Sequence, residues 1–344
     1  MYENYLGVDL HLKRTYLVLM DAQGTMKERR ALPTDSLGDY AAGLPDSTIA
    51  VLEATRNWQY AYDLLAEHVD QVELVHPKKV KAIASAKIKT DKIDAATLAH
   101  LARADLLPTA YAPPQHIRQG RALVRHRAKM VRDRARAKNR VHGLLAQKGI
   151  RSPVSDLFGK QGRAFLDEVA SQLDSVSQAI LADHLALIDA LSQRIEVSEE
   201  QITPFIEAHP ELKANVALLS TIPGVATYSA LLILTEVGDI HRFPDPKHLC
   251  SYAGLVPSTY QSGEVARHGR ITKEGSPWLR WIMVEAAIHA GKYSSRLGRY
   301  YQGIKGRHGK KTARVATARK LLTIIYHMLI RQEPYRESTE GQSG

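Results

Sequence analysis

The chain of 344 residues has one cysteine, Cys250, only four phenylalanines and no long apolar run. A single cysteine excludes an internal disulfide framework and a zinc site built on cysteines. A helix that spans a bilayer needs about 20 apolar residues, and no segment approaches that length. The first residues also lack the basic and apolar regions of a signal peptide. We therefore expect a cytoplasmic protein without a membrane partner.

Acidic residues are the minority charge, with 36 Asp and Glu against 47 Lys and Arg and a net charge of +11. The sequence pI of about 9.5 favours an anionic polymer as partner, although a generically basic soluble protein is the alternative. Hydrophobic residues make up 44% of the chain, so most of it should fold. The length allows two or three domains.

Four carboxylates in the first hundred residues carry the strongest chemical signal. Asp9 and Glu53 each end a short apolar run of strand type, where a buried charge is costly without a partner or a metal. Asp91 and Asp94 are three residues apart and share one face if their segment is helical. The four together predict an oxygen-only site for Mg²⁺ or Mn²⁺ that assists chemistry on a nucleic-acid phosphate. Solvated surface acids are the alternative interpretation.

The first 112 residues have an α/β pattern. Apolar and β-branched runs predict strands over residues 5–9, 15–20, 25–31, 47–52 and 72–75. A helix is predicted around residues 60–67, and Thr90 can cap a further helix that carries Asp91 and Asp94. Strands followed by alternating helices and strands indicate an α/β domain.

Residues 113–150 are predicted to form a long basic helix that extends this domain. Residues 116–148 contain no proline, eleven Lys or Arg and one acid, Asp133. The residues that we expect to follow a nucleic-acid backbone along this helix are Arg121, Arg125, Arg132 and Arg136. The alternative is a solvated charged face.

The charge balance reverses over residues 151–210, which hold ten acidic and four basic residues. Leu181, Ile188, Ile195 and Ile202 are spaced seven apart, which is typical of a coiled coil. This stripe predicts a coiled-coil arm for self-association, or alternatively one helix packed on its own domain.

Residues 211–332 form a third, mainly helical block. A Pro-Gly turn at residues 223–224 joins two apolar helical segments and can present backbone N–H groups to a phosphate, or can be an ordinary turn. Lys310 and Lys311 belong to a second candidate nucleic-acid-binding patch. Residues 333–344 have the polar composition of a disordered tail.

The motifs of the first and third blocks resemble one known family. In the first block they are residues 7–9 (Gly-Val-Asp), 52–54 (Leu-Glu-Ala) and 89–95 (Lys-Thr-Asp-Lys-Ile-Asp-Ala). In the third block they are residues 222–225 (Ile-Pro-Gly-Val), 252–257 (Tyr-Ala-Gly-Leu-Val-Pro) and 260–263 (Tyr-Gln-Ser-Gly). In this order they resemble the DEDD transposases of bacterial insertion sequences, the IS110 family, over nearly the whole chain.

The resemblance implies an N-terminal domain like RuvC resolvase and ribonuclease H, a helical coiled-coil middle and a mainly helical C-terminal transposase domain. It implies an RNA-guided DNA recombinase, in which a noncoding bridge RNA pairs with donor and target DNA and dimers join into a tetramer. Ser262 matches the serine that attacks the phosphate and forms a covalent link to DNA. Arg267, Arg270 and Lys273 follow closely in the sequence and can hold that phosphate.

Two other functions fit the same residues. In a structure-selective endonuclease of the RuvC type, water attacks the phosphate and Ser262 is structural. In a non-enzymatic RNA- or DNA-binding scaffold, the basic helix binds the nucleic acid and the acids have no role. A DNA adduct that survives denaturant separates the recombinase from both alternatives.

Overall fold

A computed structural model describes residues 2–84, 91–262 and 265–337; residues 91, 92, 259–262, 265–268 and 295 are described by their backbone alone. Contacts divide the chain into two compact units, residues 1–112 and residues 113–344. In the part of the chain that the structure describes, no helix combines the length and the apolar character needed to cross a membrane.

The first unit is a mixed sheet with helices on both faces. Its strands are β1 (Asn4–Leu10), β2 (Arg14–Asp21), β3 (Met26–Pro33), β4 (Thr48–Glu53) and β5 (Gln71–Val75). Its helices are α1 (Leu37–Ala41), α2 (Trp58–Ala66), α3 (Pro77–Ile83) and α4 (Asp91–Arg103). The sheet order is β3-β2-β1-β4-β5; β1 and β2 form a meander with β3, and β4 and β5 run parallel to β1.

The central strands are apolar on both faces because both faces are covered. Leu6, Val8 and Leu52 face one core, which α1 and α2 complete. Tyr5 and Val51 face the opposite core, which is completed by α4. The five strands and the helix expected near residues 60–67 are thus confirmed, with ends shifted by one or two residues.

The second unit is mainly helical. Its helices are α5 (Gln115–Gln147), α6 (Lys160–Ala170), α7 (Ser175–Glu200), α8 (Ile202–Glu207), α9 (Pro210–Ser220), α10 (Thr227–Val237), α11 (Pro246–Tyr252), α12 (Pro277–Tyr293) and α13 (Ser295–Arg331). A two-stranded antiparallel hairpin, β6 (Pro257–Ser262) and β7 (Val265–Ile271), lies between α11 and α12. Gly309 interrupts α13 with a non-helical φ of 78°.

The predicted long basic helix is present as α5, and it belongs to the second compact unit. Its apolar residues recur at helical intervals and enter two cores of the second unit. Val124 belongs to the core built by α9 to α13, whereas Ala137 and Val141 pack with α6 and α7. α5 is therefore a central packing element of this unit as well as a carrier of charge.

The apolar stripe with seven-residue spacing, which runs along α7 to the start of α8, is buried within the chain. Leu181 and Ile188 pack against α5 and α6, Ile195 is 3% exposed, and Ile202 joins the core around α9 and α10. This arrangement corresponds to the helix packed on its own domain, so the stripe that suggested a self-association arm is already used inside the chain. Asp174 caps α7 by accepting from the Ser177 backbone N–H at 3.0 Å. The hydrogen bond from Lys148, followed by those from the Ser177 backbone and hydroxyl, lowers the pKa of the Asp174 carboxyl.

The chain continues in an ordered path beyond α13. Gln332 ends the helix in the left-handed conformation, with φ 54°. The Tyr335 backbone N–H donates to the Thr221 hydroxyl at 2.9 Å, and the Tyr335 hydroxyl lies 2.9 Å from that of Ser294. Residues 333–337, which the sequence places in a disordered tail, are thereby tied to the turn after α9 and to the start of α13.

Candidate functional site

Two of the four predicted acids lie side by side at one edge of the sheet. Asp9 is near the carboxyl end of β1, and Glu53 ends the parallel neighbour β4. The strands pair in register up to Val8 and Leu52, so the two acids follow directly at the same level. Adjacent strands are about 4.8 Å apart, which makes the two carboxylates close neighbours. Both are partly buried.

Both acids point to the sheet face that α4 covers. Side chains alternate along a strand, and Val8 and Leu52 belong to the opposite face. Gly7, two residues before Asp9, lets α4 approach β1, because a Cβ there would collide with the Ala95 carbonyl oxygen and lie 2.9 Å from the Ala99 nitrogen. The absent side chain of Gly7 therefore sets the distance between α4 and the acids.

The direction of α4 brings the other two acids to the same edge. The far end of the helix, at Arg103, lies by the Gly24 turn, which is at the end of the sheet where β1 begins. Residues 91 and 94 at the start of the helix therefore lie toward the end of β1 that carries Asp9. Asp94 is partly buried, whereas the side chain of Asp91 and the capping residue Thr90 fall outside the described residues.

A histidine and an asparagine also lie at this edge. His11 Nε2 lies 3.2 Å from Asp9 Oδ2. The carbonyl oxygen of His11 accepts hydrogen bonds from Thr34 Oγ1 at 2.9 Å and from Asn57 Nδ2 at 3.2 Å. Asn57 comes from the loop after Glu53, so it joins the two loops that follow the acid-bearing strands. Nothing in the local sequence marks Asn57.

The donor chemistry at this edge fits a hard divalent ion, since Asp9, Glu53 and Asp94 offer carboxylate oxygens. Within residues whose side chains are described, no three His, Cys, Asp or Glu groups form a ready-made metal cluster. Asp91 is not among the residues searched, because its side chain is not described. The edge thus gathers the predicted ligands by backbone position, and the coordination itself remains a prediction.

Ser262 lies in the second unit, at the end of β6 and opposite Val265 of β7. Its side chain, that of Arg267 and the whole of residues 263 and 264 lie outside what the structure describes. The other two predicted phosphate-binding residues are exposed: Arg270 is on β7 and Lys273 follows it with a φ of 57°. The hairpin therefore carries cations on the strand that returns from Ser262.

The base of this hairpin is clamped to the segment that precedes it, which explains the glycine of the Tyr-Ala-Gly-Leu-Val-Pro motif. Gly254 has a φ of 64°, and a Cβ there would collide with the Glu274 carbonyl oxygen. Gly275 has a φ of 78°, and a Cβ there would collide with the Tyr252 carbonyl oxygen. Arg280 donates to the Ala253 carbonyl oxygen at 3.1 Å, and partial burial lowers the pKa of its guanidinium.

Two arginines that we expected to bind nucleic acid are instead engaged with protein groups. Arg125 makes two hydrogen bonds, of 2.7 and 2.9 Å, with the fully buried Glu236 carboxylate. Arg121 donates from Nε and Nη2 to the Thr235 carbonyl oxygen at 3.0 and 2.8 Å. Ser276 also donates to Glu236, at 2.7 Å. A buried carboxylate requires such partners, so these residues join α5 to α10 and α12.

The remaining predicted cations lie at the surface. Arg132 is exposed, with its guanidinium 5.3 Å from the centre of the Trp278 ring, and Arg136 pairs with Asp133 at 3.0 Å. Lys310 and Lys311 are exposed just after the Gly309 kink. These four side chains are accessible to a polyanion, in contrast to Arg121 and Arg125.

The Pro-Gly turn joins α9 and α10 as the sequence predicts. Gly224 has a φ of 85°, and a Cβ there would lie 2.5 Å from that of His289 on α12. A cavity of about 500 Å³ adjoins the turn, and Glu285 and His289 are among its lining residues. The lining contains this carboxylate and no Lys or Arg, which disfavours a phosphate there, so the turn is best explained by close helix packing.

Known proteins resemble this chain over nearly its whole length. One family model, which represents the DEDD transposases of the IS110 type and is described as a transposase, matches residues 6–150. A second, described as the transposase IS116/IS110/IS902 family, matches residues 216–302. The first covers the acid-bearing sheet, and the second covers the serine-bearing hairpin.

Individual relatives align with nearly the whole of this chain over nearly the whole of their own length. A probable family 20 transposase of Pseudomonas aeruginosa is 26% identical over 96% of this chain and 98% of its own length. The transposase for insertion sequence element IS1111A of Coxiella burnetii is 26% identical over 96% and 91%. A pilin gene-inverting protein of Moraxella bovis is 26% identical over 97% and 98%. With both family models matched in order, the chain belongs to the IS110 family of transposases.

Proposed function

We propose that this protein is an RNA-guided DNA recombinase that cuts and rejoins the ends of an insertion sequence through a covalent serine–DNA intermediate. The observation that carries the proposal is the convergence of Asp9, Glu53 and the start of α4 at one sheet edge, in a chain whose family members are named transposases and a gene-inverting protein. The strand order and this edge support a RuvC-like or ribonuclease H-like fold for residues 1–112.

In the proposed reaction, Ser262 Oγ loses its proton and forms a bond to the scissile phosphorus. The bond from phosphorus to the leaving deoxyribose oxygen breaks, and that oxygen takes up a proton. In the rejoining step, the hydroxyl of another strand loses its proton and bonds to the same phosphorus, while the bond from phosphorus to Ser262 Oγ breaks and Oγ takes up a proton. Rejoining needs no ATP because each ester bond that breaks is replaced by another.

The acids hold the metal in this proposal. Asp9, Glu53, Asp91 and Asp94 would bind Mg²⁺ or Mn²⁺, which supplies charge stabilisation for phosphoryl transfer when bound. His11 would keep Asp9 in place through its 3.2 Å contact. Arg267, Arg270 and Lys273 would hold the phosphate beside Ser262. Because the serine and the acids belong to different units, the site would form within one chain or between two subunits.

Partners follow from the same proposal. Donor and target DNA are the substrates, and a bridge RNA supplies the sequence specificity by base pairing. Arg132, Arg136, Lys310 and Lys311 are exposed for backbone contacts that depend on salt. Recovery of a discrete RNA with the purified protein, carrying segments complementary to the insertion junctions, would support the guide. Recombination by protein freed of RNA would contradict it.

Self-association is proposed on the outer face of α7. Val176, Ile180, Leu187 and Val197 are 41 to 66% exposed, and their spacing places them on one side of the helix. This face differs from the buried stripe with seven-residue spacing and can pack against a second copy of the chain to form a dimer. Two such dimers would assemble on DNA. Ile180→Glu with Leu187→Glu should turn the oligomer into monomers in sedimentation. An unchanged sedimentation coefficient would exclude this face.

A matched pair of serine variants tests the nucleophile. Ser262→Ala should abolish the denaturant-resistant DNA adduct and strand joining while nucleic-acid binding persists. Ser258→Ala is the control, because Ser258 is on the same strand and its hydroxyl donates to the Arg270 carbonyl oxygen at 3.0 Å. Cleavage by Ser262→Ala without an adduct would favour the RuvC-type endonuclease. No cleavage by the wild-type protein with any divalent ion would favour the binding scaffold.

A further inference from the structure

A second cavity of the C-terminal unit is rich in cations. Its volume is about 410 Å³, and it is lined by four cationic side chains, Arg296, Lys320, Arg331 and Arg336, with Glu333 as the acid in the lining. Among the residues that the structure describes, none of these four makes an ion pair. All four side chains are exposed and outnumber Glu333, so the space carries an excess of positive charge that an anion can neutralise.

The fold brings these charges together over a long sequence distance. Arg296 and Lys320 both belong to α13, and 24 residues of straight helix would separate them by about 36 Å. They line one cavity because Gly309, with φ 78° and ψ 168°, breaks the helix between them. The segment after α13 adds Arg336 to the lining.

The cavity also has aromatic and apolar parts. Tyr335 and His327 line it together with Ile324, Met328 and Pro334. Tyr335 is fixed at two points, through its backbone N–H to Thr221 and through its hydroxyl to Ser294. A ring held in place before binding loses little conformational entropy when a planar group stacks on it. Cations beside a fixed ring suit a group that is both anionic and planar.

We propose that this cavity binds one unstacked nucleotide of a nucleic-acid strand, with its phosphate among Arg296, Lys320 and Arg331 and its base against Tyr335. A volume of about 410 Å³ is in the lower part of the range of small-ligand pockets, roughly 300 to 1,000 Å³, and admits one nucleotide but not a duplex. Proteins commonly bind splayed bases on aromatic rings and arginine planes. The proposal rests on the nucleic-acid function proposed above and adds a site remote in sequence from Ser262.

Crosslinking locates the site directly. Single-stranded DNA and RNA oligonucleotides that carry 5-iodouridine are irradiated with the full-length protein, and the adducts are mapped by mass spectrometry. We expect adducts at Tyr335 or His327, and the oligonucleotide that gives them identifies the strand as DNA or RNA. Adducts that map only to other segments, with none between residues 320 and 336, would overturn the proposal.

Affinity measurements test the charges and the ring separately. Arg296→Gln with Arg331→Gln should weaken oligonucleotide binding and reduce the slope of log affinity against log salt by about 0.7 for each phosphate that the variant no longer neutralises. The matched control, Arg151→Gln with Arg194→Gln, removes two exposed arginines outside the cavity and should leave the slope unchanged. Tyr335→Ala should weaken binding about tenfold at constant slope, whereas Tyr335→Phe retains the ring and the affinity.

The outcomes distinguish this site from the proposed reaction. Unchanged affinity and slope in the Arg296 and Arg331 variant, with recombination intact, would overturn the nucleotide site alone. A normal crosslink at Tyr335 in a protein that never forms a serine adduct would overturn the recombinase and keep the site. Competition by polyglutamate as strong as by an oligonucleotide of equal charge would assign the cavity to an acidic protein segment and overturn the proposal.

Discussion

The buried ion pair between Arg125 and Glu236 gives a quantitative test of how the C-terminal unit is held together. The Glu236 side chain is fully buried, and the Arg125 side chain is 32% exposed. Arg125→Ala leaves a buried carboxylate with the Ser276 hydroxyl and with Arg121, whose Nε is 4.0 Å away. Removing one partner of a buried pair typically costs about 3–5 kcal/mol, because the other charge stays desolvated. We expect a destabilisation of about 3 kcal/mol, at the low end of that range, since those two partners remain.

The three tryptophans of the chain make the assay specific to this unit. Trp58 is in the first unit, whereas Trp278 and Trp281 are on α12, and Trp278 contacts the Arg125 guanidinium. In a Trp58→Phe background, fluorescence during urea unfolding reports the C-terminal unit. A chain with two compact units need not unfold in one step, so a local probe is required.

A surface pair on the same helix is the control. Arg136 and Asp133 form an ion pair with side chains that are 65% and 53% exposed. Arg136→Ala should cost no more than about 1 kcal/mol, because exposed pairs contribute little. Equal destabilisation by Arg125→Ala and Arg136→Ala would refute the view that burial makes the first pair important.

A double variant tests the same pair with both charges removed. Replacing both members, as in Arg125→Met with Glu236→Met, removes the uncompensated charge and should recover much of the stability that Arg125→Ala removes. A double variant less stable than the single one by a further ~2 kcal/mol or more would show that the pair does more than neutralise a buried charge.

Three further predictions use other parts of the chain. Gly7→Ala should lower the free energy of unfolding of the first unit by about 1–3 kcal/mol and abolish cleavage, because a Cβ there collides with the Ala95 carbonyl oxygen. Gly38→Ala is the control and should be neutral when Trp58 fluorescence follows urea unfolding, because a Cβ there meets only Leu64, at an ordinary 3.6 Å. Cys250 is buried, and burial raises the pKa of its thiol. Maleimide at neutral pH should therefore label Cys250 in denaturant and not in the native protein. Rapid labelling of the native protein would contradict the burial of this thiol. The pKa of the Asp174 carboxyl is lowered in the folded state, so its stabilising effect is present above the unfolded pKa of about 3.9 and is lost as the pH falls through the folded pKa. Asp174→Ala should therefore destabilise the protein at neutral pH. In unfolding experiments at acid pH, the difference in stability between this variant and the wild type should shrink.

Much of the fold was predictable because local pattern and tertiary environment agree. The strands of the first unit were found from apolar runs, which are continuous because α1, α2 and α4 cover both faces of the sheet. The long helix α5 was found because its apolar residues recur at helical spacing between its charges. The hairpin β6–β7 was not predicted as strands, since its polar residues lack the alternation that marks a half-buried strand.

The candidate site was only partly predictable. The acids Asp9 and Glu53 were recognised because each ends an apolar strand, and the parallel register of β1 and β4 places them side by side. Asn57 was missed, because a lone polar residue in a loop carries no pattern. Arg121 and Arg125 look the same in the sequence as Arg132 and Arg136, and only the positions of Thr235 and Glu236 on α10 separate the two pairs.

Periodicity, charge and residue type are local properties, and they were enough to predict an acid-bearing α/β unit, a long basic helix and a mainly helical C-terminal block, and to favour a polyanionic partner. Which charges remain available depends on the folded arrangement, which buries Glu236 against Arg125, places α4 against Gly7 and folds α13 at Gly309 around a cationic cavity. Such pairings require distant segments to meet, and burial makes the cost of an unpaired charge large enough to select them.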